Sequence, residues 1–568
     1  MPRVLLVYAN PSITATPVPP YGMEMISKCL QMAGCTSSMV SPFVEEDPVA
    51  HLRTLLADPP DLIGFSIRNM DDALVARADT GDSPIDTTAY IDDIQPLVQL
   101  AVEAVGEDRV VLGGAGISAG PRPMLRALGA RWAVQGPADD LAWYMGRALA
   151  THQQPLLPDD PRVIDLRAAE PDFPHQTRAS SSTRIAQEYR PAPGPTPRAG
   201  NWIRLAQVRS GRVPVQISTG CDRRCHYCVE PRFTGSQVHL RPIPEIVAEL
   251  DALQSAGIRE FWLSCSELNV PNSTHATALF QALQGRNLDV QVFVQPAPID
   301  DALLDAMEGA GLDPSDLSFE FGHLLDPILR AGGGPTNRAQ IDALVELWIR
   351  RGYRTLGGSI LLGGHPLENE ETMAATWDAA MKIDAALPDG FGLAYAAGAR
   401  VYPETPLADW VAAHPESQAN LYTPIGQDVS FDFIQPVVHC RPWAPKELMK
   451  RTQVALANAR GNMGPLNSEA PHNPHQLAAE QAVNRGIWRQ HEGRLEEAQR
   501  CFETALTHAP DHLEALAQHA LLCANQLGDM VAAVRSLRTL LAALPEGDPR
   551  HEEVNHALEQ ISQNGPNG

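Results

Sequence analysis

The sequence predicts an α/β protein in three parts: a doubly wound, Rossmann-like parallel sheet, an incomplete (β/α) barrel, and a C-terminal set of helical hairpins. Three observations predict it. Apolar strand-like runs that end in turn residues alternate with helical patterns over residues 1–150. The alternation resumes after an octapeptide holding three cysteines, at 221–228. Near the C-terminus the sequence repeats itself with an offset of 35 positions.

Length and composition agree with several soluble domains. A chain of 568 residues is too long for one hydrophobic core, and 44% hydrophobic with 20% charged residues is ordinary for a globular protein. The 44 Lys+Arg against 68 Asp+Glu leave a formal net charge of -24. That charge repels phosphate backbones and anionic lipid, so neither nucleic acid nor membrane is expected as a partner. No long apolar stretch is present, and MPRVLLVYANPS is broken by Asn10 and Pro11 too soon for a signal peptide. A cytoplasmic location is expected.

In the first part, 1–150, RVLLVYANP reads as a buried strand and YGMEMISKCLQMAGC as the helix after it. DLIGFSIRN and DRVVLGGAGISAG are further strands; the last ends in Gly113, Gly114, Gly116 and Gly120. Glycine loops at strand ends place a ligand at the carboxyl edge of the sheet. A nicotinamide dinucleotide is one candidate, but no G-x-G-x-x-G opens the first helix. Arg68, in SIRNMDD, ends the second strand, where it faces either a bound ligand or a carboxylate at Asp71 or Asp72.

Residues 151–205 are rich in proline and read as a mostly irregular linker. Residues 206–412 hold the barrel, 413–470 a small cap or connector, 471–561 the repeats, and 562–568 a disordered tail. In the repeats Gly493, Ala498 and Pro510 are matched by Gly528, Ala533 and Pro545, so two tetratricopeptide-like units are expected. Two units make a short solenoid. They are expected to pack on the barrel, with docking of a protein partner as the other use.

The nine cysteines are an odd set in a chain without a secretory signal, so a disulfide framework is not expected. Six are scattered, while Cys221, Cys225 and Cys228 stand in one loop directly after the strand-like VPVQIST. Three thiolates at this spacing can hold an iron–sulfur cluster and leave one iron open; a zinc site would need a fourth ligand, such as His226.

The stretch C-D-R-R-C-H-Y-C resembles the C-x3-C-x-aromatic-C signature of the radical S-adenosylmethionine (SAM) superfamily. The resemblance implies a [4Fe-4S] cluster whose open iron chelates SAM. It extends through SFEFGHLLDPILRAG, with Glu320 at the glutamate position, and through GGSILLGGHPLENEET, with Gly363 and Gly364 at the strand end. The N-terminal part resembles the cobalamin-binding domain of the cobalamin-dependent members, so cobalamin is expected there, with Gly113, Gly114 and Gly116 among its contacts. The D-x-H-x-x-G motif that supplies a histidine to cobalt in other cobalamin proteins is absent, which implies no histidine ligand to cobalt, and Pro137 and Ala138 depart from the commoner acidic Gly-Glu.

SIRNMDD resembles a subgroup in which the arginine of R-N-x-D approaches the lower face of cobalt. A guanidinium has no lone pair to give a metal, so Arg68 would exclude water and favour departure of the methyl group as an electrophile. Together these features imply a methyltransferase that acts through methylcobalamin on a carbon of a small amino-acid-like or aromatic metabolite, with C2 of the tryptophan indole as the best single substrate. Glu267, on the strand after the cysteine loop, could meet the open iron or SAM, or could be a simple hydrogen-bonded loop acid. An electron donor for the cluster or cobalamin is an implied partner. The alternatives are a radical route to an unactivated carbon, a radical rearrangement, and a non-catalytic cofactor-sensing scaffold.

Overall fold

The computed structural model describes residues 1–11, 19–72, 83–136, 138–152, 162–166, 200–209, 212–424, 434–466 and 474–563. Most of the proline-rich linker, Pro137, part of the cap and the terminal tail lie outside the described residues.

The N-terminal sheet has six parallel strands: β1 (Arg3–Tyr8), β2 (Thr36–Val40), β3 (Leu62–Ser66), β4 (Val110–Gly113), β5 (Trp132–Gln135) and β6 (Arg162–Asp165). Their order is β2-β1-β3-β4-β5-β6. Val, Leu and Ile crowd these strands because both faces are covered. One core holds Leu5, Val7, Ile63 and Phe65 under the helix Ile91–Val105, and the other holds Val4, Leu6 and Tyr8 under the helices Tyr21–Met32 and Asp139–Ala150. The sixth strand falls inside 151–205, so that segment is not mere linker: it completes the sheet. The strand order reverses between β1 and β3, and in open α/β sheets the ligand crevice opens beyond the carboxyl ends of the strands at such a point. Arg68 stands there, two residues beyond β3.

The barrel is an open, broken arc of parallel strands. β7 (Val213–Gln216), β10 (Glu260–Ser264) and β11 (Asp289–Gln291) form its first part, in the order β11-β10-β7. Between β7 and β10, the short strands β8 (Ser218–Thr219) and β9 (His239–Leu240) pair antiparallel and close the base of the cysteine loop. β12 (Phe293–Val294), β13 (Ser318–Gly322), β14 (Leu356–Leu362) and β15 (Phe391–Ala397) continue the arc. A three-stranded antiparallel patch follows, from β16 (Ala399–Arg400), β17 (Leu421–Tyr422) and β18 (Val438–His439). β19 (Gly464–Pro465) then pairs with β15, so the last strand of the arc comes from the expected cap region. Phe261, Phe319, Trp348 and Phe391 are fully buried in its core.

The C-terminal residues form two helical hairpins, Pro474–His491 with Leu495–His508 and Leu513–Leu522 with Met530–Ala543, and a final helix Arg550–Gln563. The 35-residue offset has a physical basis. Gly493 and Gly528 turn each hairpin at φ +77° and +72°, where only glycine is unstrained. Ala498 and Ala533, both fully buried, let the helices approach.

The expectation that these helices pack on the barrel is incorrect. Val483, Ile487, Phe502 and Ala505 share a core with β1, β5 and β6 of the N-terminal sheet. Trp202, on the helix Gly200–Val208, joins the two regions edge-to-face, its ring 5.3 Å from both Tyr8 and Trp488. Arg489 reaches Glu45, and Arg209 reaches Glu480. The reason is area: the N-terminal sheet has an apolar face that its own two helices leave partly open. Among the described residues no helix is long and apolar enough to cross a membrane.

Candidate functional site

The cysteine loop leaves β7 at the mouth of the arc and is held on three sides. Gly220 has φ +87°, and a Cβ there would stand 1.7 Å from the Gln237 carbonyl oxygen, so no other residue fits. The Cys221 amide donates to the Gly235 carbonyl, 2.9 Å, closing the loop on itself. The glycine triplet Gly332–Gly334 forms a second wall. The His226 amide donates to the Gly332 carbonyl, 2.9 Å, and a Cβ on Gly333 would meet the Arg224 carbonyl oxygen at 2.3 Å. The third support is the Leu407 amide, which donates to the His226 carbonyl at 2.9 Å. Gly220→Ala is therefore expected to cost about 2–4 kcal/mol, from left-handed strain plus backbone displacement; chemical denaturation of the purified variant reads it.

Cys221, Cys225 and Cys228 are free thiols that line one cavity of about 300 Å³. Burial pushes the thiols of Cys221 and Cys225 up to about 11 and that of Cys228 to about 12. A thiol in this setting ionises only when a cation stabilises the thiolate, which is the chemistry of iron ligation. The Glu230 amide donates to Cys228 Sγ at 3.4 Å, a contact suited to a charged sulfur. Among the described residues no three His, Cys, Asp or Glu side chains converge as a single-ion site. Three thiols on one cavity wall suit a cluster that keeps one iron open.

Four carboxylates line the same cavity, those of Glu230, Glu267, Glu320 and Glu368. Glu267, just past β10, has its side chain 13% exposed; burial raises it to about 7, opposed by Arg223 at 3.6 Å and by Gln295. Its Oε1 accepts from the Gln295 amide, while Oε2 is buried without a hydrogen bond. Gln295 is itself fixed: its backbone N–H donates to Asn269 Oδ1 at 2.9 Å, and its Oε1 accepts from the Thr336 hydroxyl at 2.9 Å. Glu320, on β13, is also raised by burial and accepts from the Ser359 hydroxyl at 2.8 Å.

Gly363 and Gly364 lie behind the cavity, whose wall is formed nearby by Leu361, His365 and Glu368. The Gly363 amide donates to the buried Glu368 carboxylate at 2.8 Å, and the Gly364 carbonyl accepts from His226 Nε2 at 3.3 Å. In this structure Gly364 braces the cysteine loop through His226, while Gly363 ties the Glu368 turn to the Arg441 segment. Sequence reading missed Gln295, Thr336, His365 and Glu368. Of these only Glu368 left a signal, in GHPLEN, since a carboxylate three residues past a strand-end histidine can cap the turn.

On the N-terminal side Arg68 is exposed, and pairing with Asp71 or Asp72 is not what occupies them. Asp71 pairs with Arg400 at 2.8 Å, and Asp72 accepts from the Thr88 amide at 3.1 Å. Gly113, Gly114 and Gly116 hold the backbone that carries Arg68. The Ile67 amide donates to the Gly113 carbonyl at 2.8 Å, the Gly116 amide donates to the Ile67 carbonyl at 2.9 Å, and a Cβ on Gly114 would stand 2.4 Å from that carbonyl oxygen. The short helix Ala115–Ala119 that follows packs on the helix Glu230–Phe233 that follows Cys228. The carboxyl edge of the sheet and the cysteine cavity therefore face each other across one interface.

Comparison with known proteins agrees with this geometry. Residues 215–379 match the radical SAM superfamily. A tryptophan 2-C-methyltransferase of Streptomyces laurentii is 24% identical over 465 residues, 71% of this chain and 74% of that protein. The radical SAM methyltransferase TsrM of Kitasatospora setae has been solved with cobalamin and a [4Fe-4S] cluster; it superposes with TM-score 0.63 at 21% identity, covering 89% of this chain and 100% of that one. Solved with tryptophan and a SAM analogue, the same protein gives TM-score 0.64 at 20% identity, covering 88% and 99%. The cobalamin-dependent SAM radical enzyme OxsB gives 0.56 at 12% identity, covering 100% and 81%. At these identities the solved structures speak to the fold.

Proposed function

We propose that this chain, a member of the radical SAM superfamily with the fold of the cobalamin-dependent methyltransferases, methylates a carbon of a small aromatic amino-acid-like substrate, with C2 of the tryptophan indole as the first to test. The observation that carries the reading is the apposition just described: a three-thiol cavity and a sheet crevice on the two sides of one interface. Bound there, cobalamin would supply a cobalt centre able to carry a methyl group from SAM to carbon, and a [4Fe-4S] cluster would supply an open iron for the amino and carboxylate groups of SAM.

The chain's own residues have distinct tasks. Cys221, Cys225 and Cys228 would hold three irons of the cluster, their raised thiols ionising on ligation. Glu267, whose Oε2 faces Arg223 Nε at 3.6 Å on the cavity wall, would meet the open iron or SAM; a carboxylate on that iron would disfavour reductive cleavage of SAM. Glu320, anchored by Ser359, receives SAM. Arg68, on a turn whose backbone the glycine loop holds, would lie against a corrin bound in the crevice and keep water from it. Both Arg68 and Glu267 favour the polar route, in which an electron-rich carbon attacks the methyl group directly. A small-molecule substrate and a reductant are the partners this chemistry requires.

Incubation of the reconstituted protein with methyl-labelled SAM and tryptophan is expected to give labelled 2-methyltryptophan. Label on no indole removes tryptophan as the substrate, and stoichiometric release of 5′-deoxyadenosine removes the polar route. Arg68→Ala is expected to slow methyl transfer to substrate by about 10-fold or more, equivalent to about 1.4 kcal/mol of barrier. Corrin uptake should be unchanged, as read by absorbance.

A further inference from the structure

We infer that residues Arg400–Leu407 are a brace that fixes the separation between the two cofactor sites, anchored on the N-terminal domain by the buried pair Asp71–Arg400. The inference rests on the reading of those sites given above.

Each end of this short segment touches a different site. At its start, Arg400 Nε donates to Asp71 Oδ2 at 2.8 Å, with side chains 6% and 1% exposed. The guanidinium also donates to the Val401 carbonyl at 2.5 Å and lies 4.9 Å over the Tyr402 ring. Asp71 is three residues past Arg68, and its neighbours are tied down: the Tyr90 amide donates to the Met70 carbonyl at 3.0 Å, and the Asp72 amide to the Thr88 carbonyl at 3.1 Å. In the middle, the Pro403 ring closes on Gly120, where a Cβ would come within 2.8 Å. Glu404 is held at φ +57°, a region costly for any residue but glycine, and its carboxylate pairs with Arg232 at 2.6 Å. At its end, the Leu407 amide holds the His226 carbonyl, between Cys225 and Cys228.

The choice of an ionic anchor is informative. An apolar contact would hold the two domains together with less desolvation, but it would tolerate sliding. A directed charge-assisted hydrogen bond, from a guanidinium that is also tied to the Val401 and Val437 carbonyls, fixes a single register. The brace therefore transmits position from the cluster loop to the Arg68 turn, and Asp71 and Arg400 are positioning residues.

The test uses the holoenzyme with its cluster reduced and its cobalamin in the cob(II) state, and measures the dipolar coupling between the two paramagnetic centres. Wild type is expected to give one narrow separation. Arg400→Gln and Gly120→Ala are expected to broaden or shift it and to lower methyl transfer to substrate by about 10- to 100-fold with little change in KM for SAM. Arg400→Lys should recover most of the narrow component. Superimposable distributions in the folded variants overturn the brace. If Arg400→Gln does not fold, Gly120→Ala, which removes no charge partner, decides. If wild type takes up no corrin, the functional reading fails and hydrogen exchange decides the brace: faster exchange of the 67–72 amides in the variants supports it, and unchanged exchange overturns it.

Discussion

Replacing Cys225 by alanine is expected to bring methyl transfer down by at least about 10³-fold, to background, because the loss of a metal centre removes several kcal/mol of catalysis at once. Cys225 is the middle thiol of the loop, half-buried against the Gly332–Gly334 turn. With two thiolates left, the cluster has two irons without protein ligands and is not retained. Iron and sulfide analysis should fall with activity, while the melting temperature moves little, since a small side chain at a cavity wall is lost and the loop keeps its backbone bonds. Retained function with lost iron would instead support the cofactor-sensing scaffold.

Loss of the C-terminal helices is expected to be as damaging, although no candidate site residue lies in them. Val483, Ile487 and Phe502 are at most 2% exposed and cover the N-terminal sheet. Their burial alone is worth about 5–9 kcal/mol, comparable with the whole stability of a domain. A chain ending at residue 466 should be insoluble or molten, and Phe502→Ala should lower stability by about 3–5 kcal/mol. Denaturant melts followed by circular dichroism measure both. A truncated chain that melts like wild type would mean that these helices are a dispensable docking module.

Local chemistry was legible and distant pairing was not. Gly220, the thiols at 221, 225 and 228, and Glu267 directly follow strand-like runs, whereas Glu320, in the middle of β13, is picked out by the resemblance to the radical SAM signature and not by periodicity. The sixth strand was hidden by surrounding prolines, which signal irregular chain. Asp71 and Arg400 lie 329 positions apart, and no periodicity in either segment announces the partner. Gln295 and Thr336 are ordinary polar residues whose importance arises only from facing Glu267 and each other. The tail shows the same limit: a 35-residue period reports how helices pack on each other, whereas the destination of the array depends on an uncovered face elsewhere.

The fastening of the cysteine loop bears on how the enzyme is made. The loop is shaped by Gly332, Gly333 and Leu407, all of which leave the ribosome long after Cys228. A nascent chain displaying only the octapeptide has neither wall, and its thiols are spread by a loop closed at the β8–β9 base alone. Iron delivered at that stage meets a floppy chelator. Maturation should therefore be a late event, in which the finished barrel receives its cluster through the open side of the arc, and an expression host short of iron–sulfur assembly capacity should yield folded protein that lacks the broad iron–sulfur absorbance.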